Sequence, residues 1–175
     1  MGLIICGMNG SGKSTLGRAL AEHLGWRFID NEDLYFPKAD PASPYAVERT
    51  QDEVERLLLE AVRRDDRFVF AAVRGNYGAA VLKYYKAAVL VEVPRDIRLA
   101  RVKKRSYRKF GERMLPGGDL YESEQRFYDL VAARPEDYAS RWLEAVDIPV
   151  LRVDGTRPVG ENIPLMTDWL RRNHP

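Results

Sequence analysis

The sequence predicts a three-layer α/β/α fold built on a five-stranded parallel sheet. Three observations carry that reading: five apolar runs too brief for helices, stretches of helical periodicity between them, and a glycine-rich turn joining the first run to the first helix. Strands buried on both faces read as unbroken apolar runs, and parallel strands need crossovers of helix length, right-handed by the general rule. The chain has 175 residues, 45% hydrophobic and 31% charged, which suits one domain over 1–175 with its own core. No repeat of 20–50 residues and no low-complexity tract divides it.

The elements follow in order. Leu3-Ile4-Ile5-Cys6 is a short apolar strand stopped by Gly7. From Ser14 to Leu24, Leu16, Ala19, Leu20, His23 and Leu24 recur at helical spacing, and Gly25 suits the residue past the helix end. Trp26 to Ile29 reads as a second strand ending in the acids Asp30, Glu32 and Asp33. Pro37, Pro41 and Pro44 make residues 35–45 a loop. It leads to a helix from about Tyr45 to Arg64, burying Val47, Val54, Leu58 and Ala61 and exposing Glu48, Asp52, Glu55 and Arg56. Phe68 to Val73, Ala87 to Val93 and Ile148 to Val153 are the remaining strands. Helices are expected near Ala79 to Tyr85, from about Arg95, from Leu120 with Asp119 and Glu122 as a capping-box-like start, and from Glu136 with Pro135 in its first turn. The last helix, Val159 to about Arg171, turns Ile163, Met166 and Leu170 inward. Parallel sheets bind ligands at the carboxyl ends of their strands, so Gly7, Asp30, Arg74 and Pro94 are expected to share one rim.

Charge and cysteine content narrow the setting. A net charge of +2 hides nine lysines and arginines between Arg95 and Arg113 against Asp96 and Glu112, on an otherwise acidic chain. That concentration points to a local anion site; nucleic acid would call for basicity spread along the chain. The single Cys6 cannot form an internal disulfide, and no run of 18 apolar residues or secretory start is present. A cytoplasmic location without membrane attachment is the expectation.

Gly7-Met8-Asn9-Gly10-Ser11-Gly12-Lys13-Ser14 fits G-x-x-x-x-G-K-[ST], the Walker A pattern, between a strand and a helix. A phosphate chain carries several negative charges, and a loop with inward backbone N–H groups, lengthened by a helix N-terminus, is the simplest structure that meets them. Gly7, Asn9, Gly10, Ser11, Gly12, Lys13, Ser14 and Thr15 are therefore the expected nucleotide contacts. Lys13 would reach the outer phosphates and Ser14 would ligate Mg²⁺. The third strand ends without an acid, so Asp30 is the best placed carboxylate for the metal, with a turn or capping role as its alternative. An attacking hydroxyl also needs a proton acceptor, which an acid at this place supplies.

The stretch from Gly2 to Tyr35 resembles the P-loop kinases of the nucleoside-monophosphate-kinase class, particularly shikimate kinase and gluconate kinase, and the likeness extends more loosely over most of the chain. It implies a P-loop NTPase fold with ATP and Mg²⁺ as cofactors, a substrate-binding helical insertion at 35–66 and a mobile lid at 105–120. Phe28-Ile29-Asp30-Asn31-Glu32 matches the family's strand-end F-x-D-x-D element. The resemblance makes Asp30 the metal-side acid and leaves either Glu32 or the adjacent Asp33 to grip or deprotonate the acceptor.

By the same resemblance the strand Val89 to Val93 leads into the lid, where Arg101, Arg105 and Arg108 are expected to contact phosphate and Arg105 to act in catalysis, with Arg113 in reserve. Arg98, Lys103, Lys104 and Lys109 are read as a solvated face. Arg134-Pro135-Glu136-Asp137-Tyr138 looks like an R-x-P-x-Y substrate element, and Arg49, Arg74 and Arg134 are candidates to grip an anionic acceptor. Gly155, in Asp154-Gly155-Thr156, is expected beside the base. The chain lacks the family's G-E-x-x-F-R-x-x-E run, and Arg74-Gly75-Asn76-Tyr77-Gly78 stands where a triple glycine is expected, which speaks against shikimate itself.

The function these features predict is transfer of phosphate from ATP to a small hydroxyl- or phosphate-bearing metabolite. A nucleotide-dependent ATPase or switch without an acceptor is the alternative.

Overall fold

The structure is a computed structural model, and it describes residues 1–37 and 48–173. Five strands, β1 (Gly2–Cys6), β2 (Arg27–Asp30), β3 (Phe68–Ala72), β4 (Tyr85–Glu92) and β5 (Val150–Asp154), form one sheet in the order β2-β3-β1-β4-β5. Every pairing is parallel. Around it lie α1 (Lys13–Leu24), α2 (Asn31–Tyr35), α3 (Gln51–Arg64), α4 (Gly78–Leu82), α5 (Arg95–Phe110), α6 (Tyr121–Ala133), α7 (Tyr138–Glu144) and α8 (Val159–Asn173). A 3-10 turn covers Gly111–Met114.

Strand alternation sorts the core into two layers. Leu3 and Ile5 of β1, Val69 of β3 and Ala87, Val89 and Val91 of β4 face α1 and α8, packing with Leu16, Leu20, Met166 and Leu170. Ile4 and Cys6, Phe68, Phe70 and Ala72, and Ala88 and Leu90 face α3, α4 and α7, packing with Val54, Leu58, Val81 and Leu143. Tyr85 joins this second layer although it is two residues from Ala87, because the register with β1 skips Lys86. That irregularity lets Tyr85 stack on Phe70, ring centroids 6.3 Å apart and ring planes nearly parallel.

Some boundaries depart from expectation. α3 starts at Gln51, not near Tyr45, because Thr50 caps Glu53 N–H while the Glu53 carboxylate accepts from Thr50 N–H at 2.8 Å. Residues 48–50 are not helical, and Pro41, Pro44, Tyr45 and Val47 lie outside the described residues. Tyr85 begins β4 and does not end α4. Asp119 caps nothing on α6, since both of its oxygens accept from Arg113 at 3.0 and 2.7 Å, leaving Leu120 as the N-cap. Pro135 stands before α7, which begins at Tyr138 after Asp137. Residues 105–110, read as the start of a lid, continue α5. Thr50→Ala removes the reciprocal cap of α3 and is expected to lower the thermal midpoint by about 2–4 °C, measured by circular dichroism.

Candidate functional site

β1 sits at the centre of the sheet, so the loop that leaves Cys6 opens in the middle of the carboxyl-end rim. Two of its glycines answer different demands. Gly10 has φ +82° and packs so tightly on the first turn of α5 that a Cβ would overlap the Arg98 carbonyl. Gly12 has φ +91° and caps α1, and a Cβ there would meet nothing within 4 Å. It needs its conformation only, and the space before it is open.

The helix it caps has no side-chain cap and no acid in its first turn. Its first N–H groups have no intrahelical acceptor, as at any helix start. Ser11 is completely buried and its hydroxyl has no hydrogen-bond partner among the described residues. An open mouth, free amides and an acid-free helix start fit a phosphate chain.

Lys13 is partly buried at the head of α1. Desolvation pulls its ammonium down to about 8, against the opposing field of Asp30; Arg105 lowers it further and Glu32 raises it. Asp30 ends β2 and caps α2, its Oδ1 accepting from Glu32 N–H at 3.1 Å. The capping alternative is thus realised, and the same carboxylate still acts on Lys13. Ser14 follows Lys13 in the first turn of α1, and Thr15 is exposed.

Glu32 faces the basic helix: its oxygens lie 4.0 Å from Arg105 Nη1 and 3.8 Å from Lys109 Nζ. Asp33 is exposed. Arg101 donates to the Gly155 carbonyl at 3.0 Å, and Gly155 packs on the Ser11 carbonyl, so the turn after β5 lies against the glycine loop. Arg108 stands exposed on α5 with no ion pair among the described residues. Arg113 pairs with Asp119.

On the acceptor side, Arg49 donates to the Leu34 carbonyl at 2.7 Å, which ties it to the end of α2. Arg74 and Arg134 both lie over the Tyr138 ring, their guanidinium carbons 4.3 and 5.5 Å from its centre. Arg134 also donates to Asn9 Oδ1 at 2.5 Å, joining the acceptor side to the glycine loop.

Sequence reasoning gave Tyr77 no role in the site, named Tyr138 only within the R-x-P-x-Y element and placed Arg98 on a solvated face. Tyr77, buried, donates to Asn31 Oδ1 at 2.5 Å while its ring packs edge-on to Phe70 at 5.4 Å. It thereby ties the start of α2, with its acids, to the rim loop after β3. Tyr77→Phe keeps the ring and leaves the Asn31 oxygen without its donor, so a loss of about 1–2 kcal/mol is expected in urea unfolding. Arg98 was read as solvated but is 2% exposed; Val102 and Ser106, four and eight residues on, share its buried face and were the available signal.

Among the described residues no group of three or more His, Cys, Asp or Glu forms a metal cage. Mg²⁺ needs none, since it keeps several waters and takes one or two protein oxygens; Ser14 and Asp30 offer hard oxygen donors of that kind. No described helix is long and apolar enough to cross a membrane.

A central strand, a glycine loop wrapping a helix N-terminus, a parallel 2-3-1-4-5 sheet and an arginine-bearing helix after β4 make up the fold of the P-loop kinases. Residues 3–127 match the AAA domain family, and the chain belongs to it. Among known proteins it is similar to the uncharacterized protein YqaC of Bacillus subtilis (strain 168), 25% identical over 97% of each chain. A cytidylate kinase of Stutzerimonas stutzeri (strain A1501) is 34% identical over 46% of this chain, which spans 33% of that relative's length. Solved structures of like fold include shikimate kinase from Acinetobacter baumannii in complex with shikimate, with a TM-score of 0.59, 19% identity and 99% and 94% of the two chains covered. A gluconokinase from Sinorhizobium meliloti 1021 follows, with a TM-score of 0.55, 17% identity and 99% and 97% covered. At such identities the likeness to the solved structures is one of fold.

Proposed function

We propose that the chain is a phosphotransferase that moves the γ-phosphate of MgATP to a small metabolite bearing a hydroxyl or phosphate group. The observation that carries this reading is the grouping around Lys13 of Asp30, Glu32 and Arg105, drawn from three separate elements at one rim. A bare nucleotide switch needs neither the second acid nor the arginine.

In this reading the amides of the glycine loop and Lys13 hold the triphosphate, Arg101 and Arg108 contact its phosphates, and Gly155 lies beside its base. Ser14 and Asp30 would hold Mg²⁺, which would supply positive charge against the developing negative charge of the phosphate chain. Arg105 stabilises the transferring group. Glu32, the acid that faces α5, accepts the proton of the attacking hydroxyl, and Asp33 serves the acceptor's outer side. Residues 105–120 act as the lid and 35–66 as the acceptor-side insertion, so that closure excludes water.

Arg74 and Arg134 have no carboxylate within 4 Å among the described residues, and both rest on Tyr138. They give the acceptor pocket a double positive charge and favour an anionic acceptor, with Arg49 bracing α2 beside it. Purified protein with MgATP, assayed for ADP release against sugar acids, phosphorylated sugars, nucleosides and nucleoside monophosphates, tests the proposal. One anionic class is expected to stimulate turnover. If no acceptor does so while Lys13→Ala abolishes nucleotide binding, an acceptor-free ATPase or switch replaces it.

A further inference from the structure

We infer that Arg98 is a positioning residue for the glycine loop, acting through Glu136; the inference rests on the nucleotide-binding part of the reading above. A guanidinium withdrawn from water must have its donors met and its charge balanced. Arg98 uses Nε on the adjoining strand end and Nη2 on a carboxylate 38 residues away, which also balances its charge. Its Nε donates to the Val93 carbonyl at 3.0 Å, at the end of β4. Its Nη2 donates to both oxygens of Glu136, at 2.9 and 2.7 Å. Arg95 adds a longer contact to the same carboxylate at 3.8 Å.

These bonds close a ring on the glycine loop. The backbone of Arg98 is the surface against which Gly10 packs. Glu136 lies two residues after Arg134, which donates to Asn9. Asn9 and Gly10 are neighbours, so one is held from the α5 side and the other from the 134–137 segment. The Arg98–Glu136 pair is the link between the two holders. Breaking it leaves the segment that carries Arg134 tied to α5 only through Arg95, which donates to the Ala132 carbonyl, so Asn9 is held by a less fixed partner, although the side chains of Arg98 and Glu136 do not touch the phosphate site itself.

The ring predicts non-additivity, which a salt bridge serving stability alone does not. Glu136 is more than half exposed, so Glu136→Gln preserves shape and is the first variant; Arg98→Met is the second, with folding followed by circular dichroism. Binding of a non-hydrolysable ATP analogue with Mg²⁺ is measured by calorimetry in the full chain, alone and combined with Arg134→Ala. Glu136→Gln is expected to weaken binding about fivefold or more, and Arg134→Ala is expected to add little on that background, since residues in one network couple. Unchanged analogue affinity in Glu136→Gln, or losses that multiply in the double variant, overturns the positioning role even if the thermal midpoint falls. Should the unmodified chain bind no analogue, the functional reading fails at its own step, before the variants are compared.

Discussion

A Lys13→Met variant is expected to lose phosphoryl transfer by about a hundredfold to a thousandfold, the scale of removing one fixed charge from a transition state. The same side chain predicts a pH signature. Burial holds its pKa near 8 in the free protein, and a bound triphosphate, by favouring the charged ammonium, raises it. Affinity for the nucleotide is therefore full below about pH 8 and falls above it, by up to tenfold per unit, until the pKa of the complex is passed. Stability takes the opposite sign. Between about 8 and the ordinary lysine value near 10.5 the unfolded chain holds a proton that the folded chain has released, so the contribution of Lys13 to stability improves as pH rises through that window. Calorimetric titrations and thermal melts from pH 7 to 10 measure both slopes, and Lys13→Met is expected to flatten each. Equal affinity at pH 7 and 9.5 in the unmodified chain would rule the assignment out.

The second large effect falls on Gly10. Gly10→Ala combines a left-handed backbone with overlap of the Arg98 carbonyl, and neither the loop nor the first turn of α5 can give way without moving the other. A loss of about 3 kcal/mol is expected. Gly12→Ala is the internal comparison: it pays for the left-handed backbone alone, about 1–2 kcal/mol, because its Cβ would meet open space. Urea unfolding of the two variants gives the order. If Gly12→Ala proves the more damaging, the close packing of the loop on α5 is not what Gly10 serves.

The parts of the molecule that were legible in the sequence are those whose physics is local. The strands could be read because they are covered on both sides, so Leu3 to Cys6 and Phe68 to Ala72 carry no polar interruption. The glycine loop could be read because phosphate binding dictates its composition residue by residue. Asp30 and Glu32 were visible as acids at a strand end. What was not legible depends on partners far along the chain. Arg98 looks like its neighbours Arg101 and Arg105 until Glu136, 38 residues on, is brought to it. Tyr77 is an ordinary core aromatic until Asn31 is found 46 residues away. Asp119 and Glu122 have capping spacing, yet Arg113 competes for the same carboxylate and wins with two bonds. The start of α3 is a different case: Thr50 and Glu53 are three apart and advertised it, but helical periodicity was followed upstream past the cap.

The placement of β1 between β3 and β4 also bears on how the molecule is made. Of these three strands β1 leaves the ribosome first, and it has to wait for both its neighbours, the second of which ends at Glu92. At ordinary elongation speeds that interval is on the order of ten seconds. During it Leu3 to Cys6 is an unpaired apolar ribbon with two open sides, the form of nascent chain that invites aggregation or a holdase. Slowing translation before codon 92 is then expected to lower the yield of soluble protein, whereas an equal pause after the sheet's centre is complete is expected to cost far less.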